Sequence, residues 1–449
     1  MKLPESRGNN HEGLQPAACV PRAQRNYYSS LPGGSVCMTI HGTGCGLLDC
    51  IYANEDFSGV AYQKAMSKKS GDGGLTPGQL VFSDALEKFM DKSYDEVLAS
   101  LNGNKAPDTR NLGGPSAVSL AHAAQVLAGK TAGDESFAVR YFGVRGNDST
   151  GDILEKKFSA LPFTQTHLLR KNCPTSRVDV LSDPNYDNGS GERTFVYRKG
   201  AQDQFFPEDL ADDFFNAELI AFGGTGLTPF LHDNLTELLK RARKKGALTE
   251  VNLVFDFRSE TENPGQKWKL GTKDDAYPYI DLLIADQEEA LKTSGKASVE
   301  EAAAWFINQG CGTAIITRGR QPLVICAGDA VSTGSDAASS VRFKKTELLY
   351  LPVCEEVNKE IAANPERRGD TTGCGDNFTG QVIAELAAAI ASGKQNNLDI
   401  REICIPAVAA GGFACFIVGG AYYEKEPGEK RQLLEPYINA YREQLENTG

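Results

Sequence analysis

Along the chain, short β-rich apolar runs alternate with longer segments whose apolar residues recur at helical spacing. Residues 35–41 (SVCMTIH) form such a run, closing on HGTGCG before Leu47, Leu48 and Asp49. A strand followed by a close-approach loop is the expectation there. From Pro115, SAVSLAHAAQVLAG sets Val118, Ala121, Val126 and Leu127 at helical spacing and stops at Gly129, which suits a left-handed helix end. Further runs at 138–142, 219–222, 253–257, 282–285 and 314–317 are separated by helical segments. That rhythm predicts a mostly parallel sheet covered on both faces. Two regions break it. Residues 177–181 and 194–197 alternate on either side of SDPNYDNGSGER, which predicts a hairpin projecting from the main sheet. Residues 52–110 mix a Gly/Lys-rich loop with a helix-like stretch near 84–98, and residues 1–34 carry no periodicity and read as an N-terminal extension. The uncharged run 403–423 (ICIPAVAAGGFACFIVGGAYY) approaches membrane-spanning length, yet Pro406 and four glycines favour a helix and turn inside a core.

Composition narrows the function classes. The 449 residues are 41% hydrophobic and 24% charged, which excludes disorder, collagen and coiled coil as descriptions of the whole chain. Lys+Arg number 47 against 59 Asp+Glu, and the net charge of -12 repels nucleic acid and anionic lipid. Neither a nucleic-acid partner nor a membrane is expected. Eleven cysteines without a C-x-x-C pair, and an N-terminus lacking an apolar export stretch, fit reduced thiols and a cytoplasmic setting. The five histidines show no metal-binding spacing.

The strongest chemical signal is Asp370-Thr371-Thr372-Gly373-Cys374-Gly375-Asp376, followed by a helix face of Phe378, Val382, Leu386 and Ile390. Glycines at a helix start let main-chain N–H groups approach an anion, and the unpaired donors of the first turn stabilise its charge. Gly373, Cys374 and Gly375 are therefore the expected phosphoryl cradle. Asp376 beside it is placed either to cap the helix or to take a proton from an attacking hydroxyl. Two acids bracketing T-T-G-C-G favour the catalytic role. Two decoys are weaker. AQVLAGKT (124–131) has a Walker-like ending but lies at a helix end, and GTGCG (42–46) lacks the G-x-G-x-x-G spacing of a dinucleotide loop.

This motif resembles the D-T-x-G-A-G-D signature of the ribokinase, or PfkB, family of carbohydrate kinases, with Cys374 in place of Ala. Weaker matches follow in the family's order over roughly residues 35–423. They are Asp49 after the first strand, Gly113-Gly114 before the helix, GVRGNDSTG, Thr175 with Gly191-Glu192-Arg193-Thr194, the run 254–256, Asp286 to Glu289, and Thr317-Arg318-Gly319. Residues 74–84 look most like the adenosine kinase branch. The resemblance implies a ribokinase-like three-layer α/β/α sandwich spanning 35–449, with a lid near 52–80 and 173–200. It implies transfer of the γ-phosphoryl group of ATP to a hydroxymethyl group of a sugar or sugar-like acceptor, with a nucleoside as the alternative. By the same resemblance Asp376 is the base, Asp49, Gly113 and Gly114 bind the acceptor, and Asp370, Thr371, Thr317 and Gly319 meet the nucleotide. Asp286 and Glu289 would face Mg²⁺ through water, a monovalent cation would sit beside the loop, and two copies would pair through their lids. No exposed apolar face in the sequence supports that homodimer. A nicotinamide-dependent oxidoreductase using GTGCG and a non-catalytic ligand-binding relative stand as more distant readings. The chain departs from the family at Val118, where Asn is usual, at Asp286, which replaces Asn, and at 355–369, an apparent insertion carrying Arg367 and Arg368.

Overall fold

The computed structural model describes residues 38–69, 71–128, 137–189, 191–328, 341–369 and 371–448. The expected extension 1–34, the helix stop at Gly129 and the acid Asp370 lie outside the described residues. In chain order the strands are β1 (Met38–Gly44), β2 (Leu47–Tyr52), β3 (Leu80–Phe82), β4 (Thr109–Gly113), β5 (Phe137–Gly146), β6 (Gln165–Lys171) and β7 (Arg177–Asp183). They continue as β8 (Glu192–Arg198), β9 (Leu219–Gly223), β10 (Leu248–Asn252), β11 (Leu282–Asp286), β12 (Thr313–Arg318), β13 (Gln321–Ala327) and β14 (Thr346–Leu351).

Nine strands form one sheet in the order β14-β13-β12-β11-β10-β9-β1-β5-β6. From β12 to β6 every neighbouring pair is parallel, while β13 and β14 close one edge antiparallel. Alternation along single strands shows why both faces are covered. Leu219, Leu282 and Ile315 enter one core, with Phe378 and Val382 from the helix Cys374–Ala391 and Leu120 from the helix Pro115–Ala128. Their sequence neighbours Ile220, Leu283 and Ile316 enter the other core, with Leu238 and Phe306 from helices on the opposite face. Successive side chains of a strand point to opposite faces, so near-continuous apolar runs are what a doubly covered sheet requires. The uncharged run folds as most of the largely buried helix Ile400–Phe413 and the turns that follow it, and among the described residues no helix is long and apolar enough to cross a membrane.

A second, five-stranded sheet in the order β3-β8-β7-β2-β4 contains the expected hairpin, with β7 and β8 paired antiparallel from Arg177↔Arg198 to Asp183↔Glu192. Its base is tied to β5 by the GVRGNDSTG turn. Asp148 caps the helix Ser149–Ser159 through Gly151 N–H and accepts from Thr175 Oγ1 at 2.6 Å.

Two elements differ from the sequence expectation. The run 253–257 leaves the sheet and leads into the helix Phe257–Glu262, which Asp256 caps, whereas the strand is β10 just before it. Polar Thr249, Glu250 and Asn252, all buried, hide that strand from a hydrophobicity pattern. Asp49 follows the first strand, as expected, but not in a loop: it lies inside a further strand, β2. The chain leaves β1 at Gly44 (φ +121°), where a Cβ would sit 1.9 Å from the Gly223 carbonyl oxygen, and passes directly into the second sheet. Only glycine permits so close an approach in that conformation.

Candidate functional site

The helix Cys374–Ala391 starts from Gly373 in the left-handed conformation (φ +79°), with its missing Cβ aimed at Gly420 Cα only 2.6 Å away. A side chain there would be strained and would collide with backbone, so the loop and the 419–420 turn press together because both are glycine. Gly373 is the N-terminal cap residue, and Asp376 is the third residue of the helix; its side chain does not cap the helix. Although some water reaches the residue, desolvation pushes the Asp376 carboxyl up to about 7. Cys374 N–H makes a long 3.4 Å contact to Thr371 O, and its thiol lies 3.6 Å from that of Cys415. Gly375 N–H, one position on in the first turn, is among the donors a helix start leaves without an internal partner.

A cavity of about 580 Å³ opens beside this helix start. Thr371, Cys374 and Gly375 line one side, and Thr317 and Gly319, at the end of β12 and in its turn, line the other. Apolar Leu323, Leu351, Val357 and Val408 also line it, so a charged mouth continues into an oily slot. The segment 355–369 supplies part of that slot as the helix Glu355–Ala363, with Val357 and Ile361 facing inward. Arg368 borders the cavity, while Arg367 pairs with Glu360 and stacks 5.1 Å from the Phe416 ring centre.

Asp49, Gly113 and Gly114 come together. β2 and β4 are antiparallel, and the carboxyl of buried Asp49 lies over Gly113, whose missing Cβ would fall 2.3 Å from Cγ and from both oxygens. Gly114 (φ +90°) lets the next helix start close against the Cys45 carbonyl. Val118 on that helix is buried and packs against Gly420, which places it in the wall behind the loop. Burial, then the negative charges of Asp49 and Asp376, push the Cys45 thiol well above its ordinary range. Both carboxyls therefore act on one small region between the two sheets.

Asp286 and Glu289 are engaged with each other. Asp286 Oδ1 accepts from Glu289 N–H and Glu289 Oε2 accepts from Asp286 N–H, both at 2.8 Å, a reciprocal cap on the helix Gln287–Ser294. Burial first, and Asp286 next, raise the Glu289 carboxyl well above the usual range, with Asp376 adding to the effect. The pair thus lies within electrostatic reach of Asp376. Among the described residues no three ligand-type side chains cluster closely enough to hold a metal directly. A pair of carboxyls at one helix start fits a hydrated cation that arrives on phosphates rather than a preformed cage.

The sequence reading missed one contact. Arg193, on β8, donates from Nη2 to Thr371 Oγ1 at 2.5 Å and so joins the second sheet to the glycine loop. Its signal was an arginine in an otherwise turn-rich hairpin segment, GERT.

Residues 100–425 match the pfkB family of carbohydrate kinases. Among solved structures the chain resembles adenosine kinase from Schistosoma mansoni, bound to 2-fluoroadenosine, with 18% identity, a TM-score of 0.61, and 86% of this chain and 97% of that one covered. It also resembles a probable sugar kinase from Rhizobium etli (17% identity, TM-score 0.60, 89% and 99% covered). A third is ribokinase from Thermotoga maritima (16%, 0.54, 90% and 99%).

Proposed function

Because the chain belongs to the pfkB family of carbohydrate kinases, we propose that it transfers the γ-phosphoryl group of ATP to a hydroxymethyl group of a sugar or sugar-like acceptor. One observation carries this reading. A carboxyl held near neutrality, and not spent on capping, stands one residue beyond the glycine bend that lines a nucleotide-sized cavity.

Asp376 accepts the hydroxyl proton as that oxygen attacks phosphorus. A base half-ionised near neutral pH combines availability with proton affinity. Gly373, Cys374 and Gly375 form the bend that meets charge growing on the transferred group, with the helix dipole behind it. Arg193 reaches the same loop from the second sheet, and its guanidinium suits phosphate oxygens. Thr371, with Asp370 before it, and Thr317 and Gly319 hold the nucleotide, whose base fits the apolar slot. Asp49, braced over Gly113 and Gly114, orients acceptor hydroxyls. Mg²⁺, when bound with ATP, would offset phosphate charge, and Asp286 and Glu289 are the residues that would face its waters. The second sheet acts as a lid that excludes water, which would otherwise compete as acceptor.

A nucleoside acceptor is the second reading, favoured by the likeness to a Schistosoma mansoni adenosine kinase bound to 2-fluoroadenosine. ADP release measured with ribose, fructose, adenosine and related acceptors separates the two. Asp376→Asn is expected to lower turnover by about 10²–10⁴-fold while ATP still binds; near-normal turnover removes Asp376 from the mechanism.

A further inference from the structure

Beneath the glycine bend lies a buried polar network that the chemistry above leaves unused. Lys430, on the helix Glu429–Thr448, is 1% exposed and its Nζ makes no ion pair among the described residues. Nζ donates to Asn377 Oδ1 at 2.8 Å and to Gln125 Oε1 at 3.0 Å. His122 Nδ1 also lies 2.9 Å from Asn377 Oδ1, and its Nε2 lies 2.8 Å from Gln381 Oε1. With its oxygen so engaged, the Asn377 amide can turn only one way. Its Nδ2 donates to Gly373 O at 2.8 Å and to Gly420 O at 3.0 Å, the two glycines pressed together behind the bend. Asn377 directly follows Asp376.

An ammonium in such a place is costly, since it loses its hydration and bonds only neutral amide oxygens; burial lowers the Lys430 amine to about 7 against the pull of the nearby Glu424 carboxylate. Methionine would fill similar space without that cost. The physical consequence of the charge lies one step away. Gly373 O and Cys374 N–H belong to one planar peptide and point in opposite directions, so a carbonyl held inward turns the N–H outward, where it makes the long 3.4 Å contact to Thr371 O. Glycine on either side of the contact makes these peptides easy to rotate, and a carbonyl turned outward would set partial negative charge against phosphate.

We propose that Lys430 is a positioning residue for the phosphoryl cradle: acting through Asn377, it keeps the carbonyls of Gly373 and Gly420 turned into the protein and the N–H groups of the bend turned toward the transferred phosphoryl group. This rests on the phosphoryl-transfer reading and deepens it. Lys430→Met in the full chain is the test, with ATP and AMP affinities measured by calorimetry beside steady-state kinetics. ATP affinity and kcat/KM for ATP should fall about tenfold or more, the scale of one lost hydrogen bond to a charged group. AMP affinity and the acceptor KM should stay within about twofold, because neither ligand places a phosphoryl group in the cradle. Equal losses for ATP and AMP, or no loss of either, would overturn the proposal and leave Lys430 a core residue.

Should Lys430→Met fail to fold, Asn377→Asp asks the same question from the other end. It keeps an oxygen for Lys430 and removes the side-chain donors to both carbonyls, leaving Gly373 O only the main-chain N–H of residue 377 at 2.8 Å, so the same ATP-selective loss is expected and unchanged ATP affinity overturns the proposal. A wild-type chain that binds ATP but phosphorylates no acceptor would instead sink the proposed function. The ATP-over-AMP discrimination of the variants would then still report on the cradle.

Discussion

Asp376 binds protons differently in the folded and unfolded chain. Its carboxyl titrates near 7 when folded, against an ordinary 3.8. Between those values the folded state holds the extra proton, so this group's contribution is fully present below about pH 4 and is lost as pH rises through 7. Asp376→Asn escapes that loss. Without nucleotide, its melting temperature should exceed that of the wild type at about pH 8, by the equivalent of about 1–3 kcal/mol, and the gap should close toward pH 4. A gap constant across pH would refute the linkage. Turnover of the wild type should rise through about pH 7 as the base ionises. At the acceptor end, Gly113→Ala drives a methyl into the Asp49 carboxyl, whose three atoms would each stand 2.3 Å from it. Acceptor KM should rise about tenfold or more with ATP KM unchanged, and kinetics against each substrate in turn checks this. The glycine bend and its acid were legible from sequence because a run of small residues before an apolar helix has few other uses. The overlap of Asp49 with Gly113 was not, because it depends on the register of β2 against β4.

Among the elements, the hairpin β7–β8 carries the most consequence per residue. Its turn chemistry and alternating pattern were visible in sequence, and the structure pairs it over its whole length. What pattern does not reveal is where such a hairpin lands. Arg193 reaches Thr371 across 178 residues of chain. Arg193→Ala should lower kcat/KM for ATP by about 10–100-fold with little change in melting temperature, since the strand pairing does not depend on the guanidinium. Lysine at 193 should restore only part, as it lacks the planar fork. Strand β10 gives the converse lesson. Buried Thr249, Glu250 and Asn252 erase its apolar signature, and only the ladder with β9 and β11 identifies it.

At the scale of the whole molecule, two large cores flank the nine-stranded sheet; the second sheet joins one of them through Leu48, Cys50, Leu181 and Val196, while its other face has only a small core of Leu47, Ile51, Val178, Val180 and Tyr197. A sheet thinly covered on one face opens locally at lower cost than one covered by a large core on both. Amides of β7 and β8 should therefore exchange with solvent faster than those of β1 and β9, and ATP with acceptor together should slow the first group selectively. Uniform exchange across both sheets would contradict a moving lid.

The sequence by itself determined the alternation that makes a doubly covered parallel sheet, the hairpin, and the T-T-G-C-G-D bend with its helix. Each is a local consequence of side-chain periodicity or of glycine's freedom. Tertiary structure decided which distant groups share a region: Asp49 with Gly113, Arg193 with Thr371, Lys430 with Asn377. Such meetings follow from strand order and register, set by the burial of hundreds of side chains at once, and no window along the chain contains that sum.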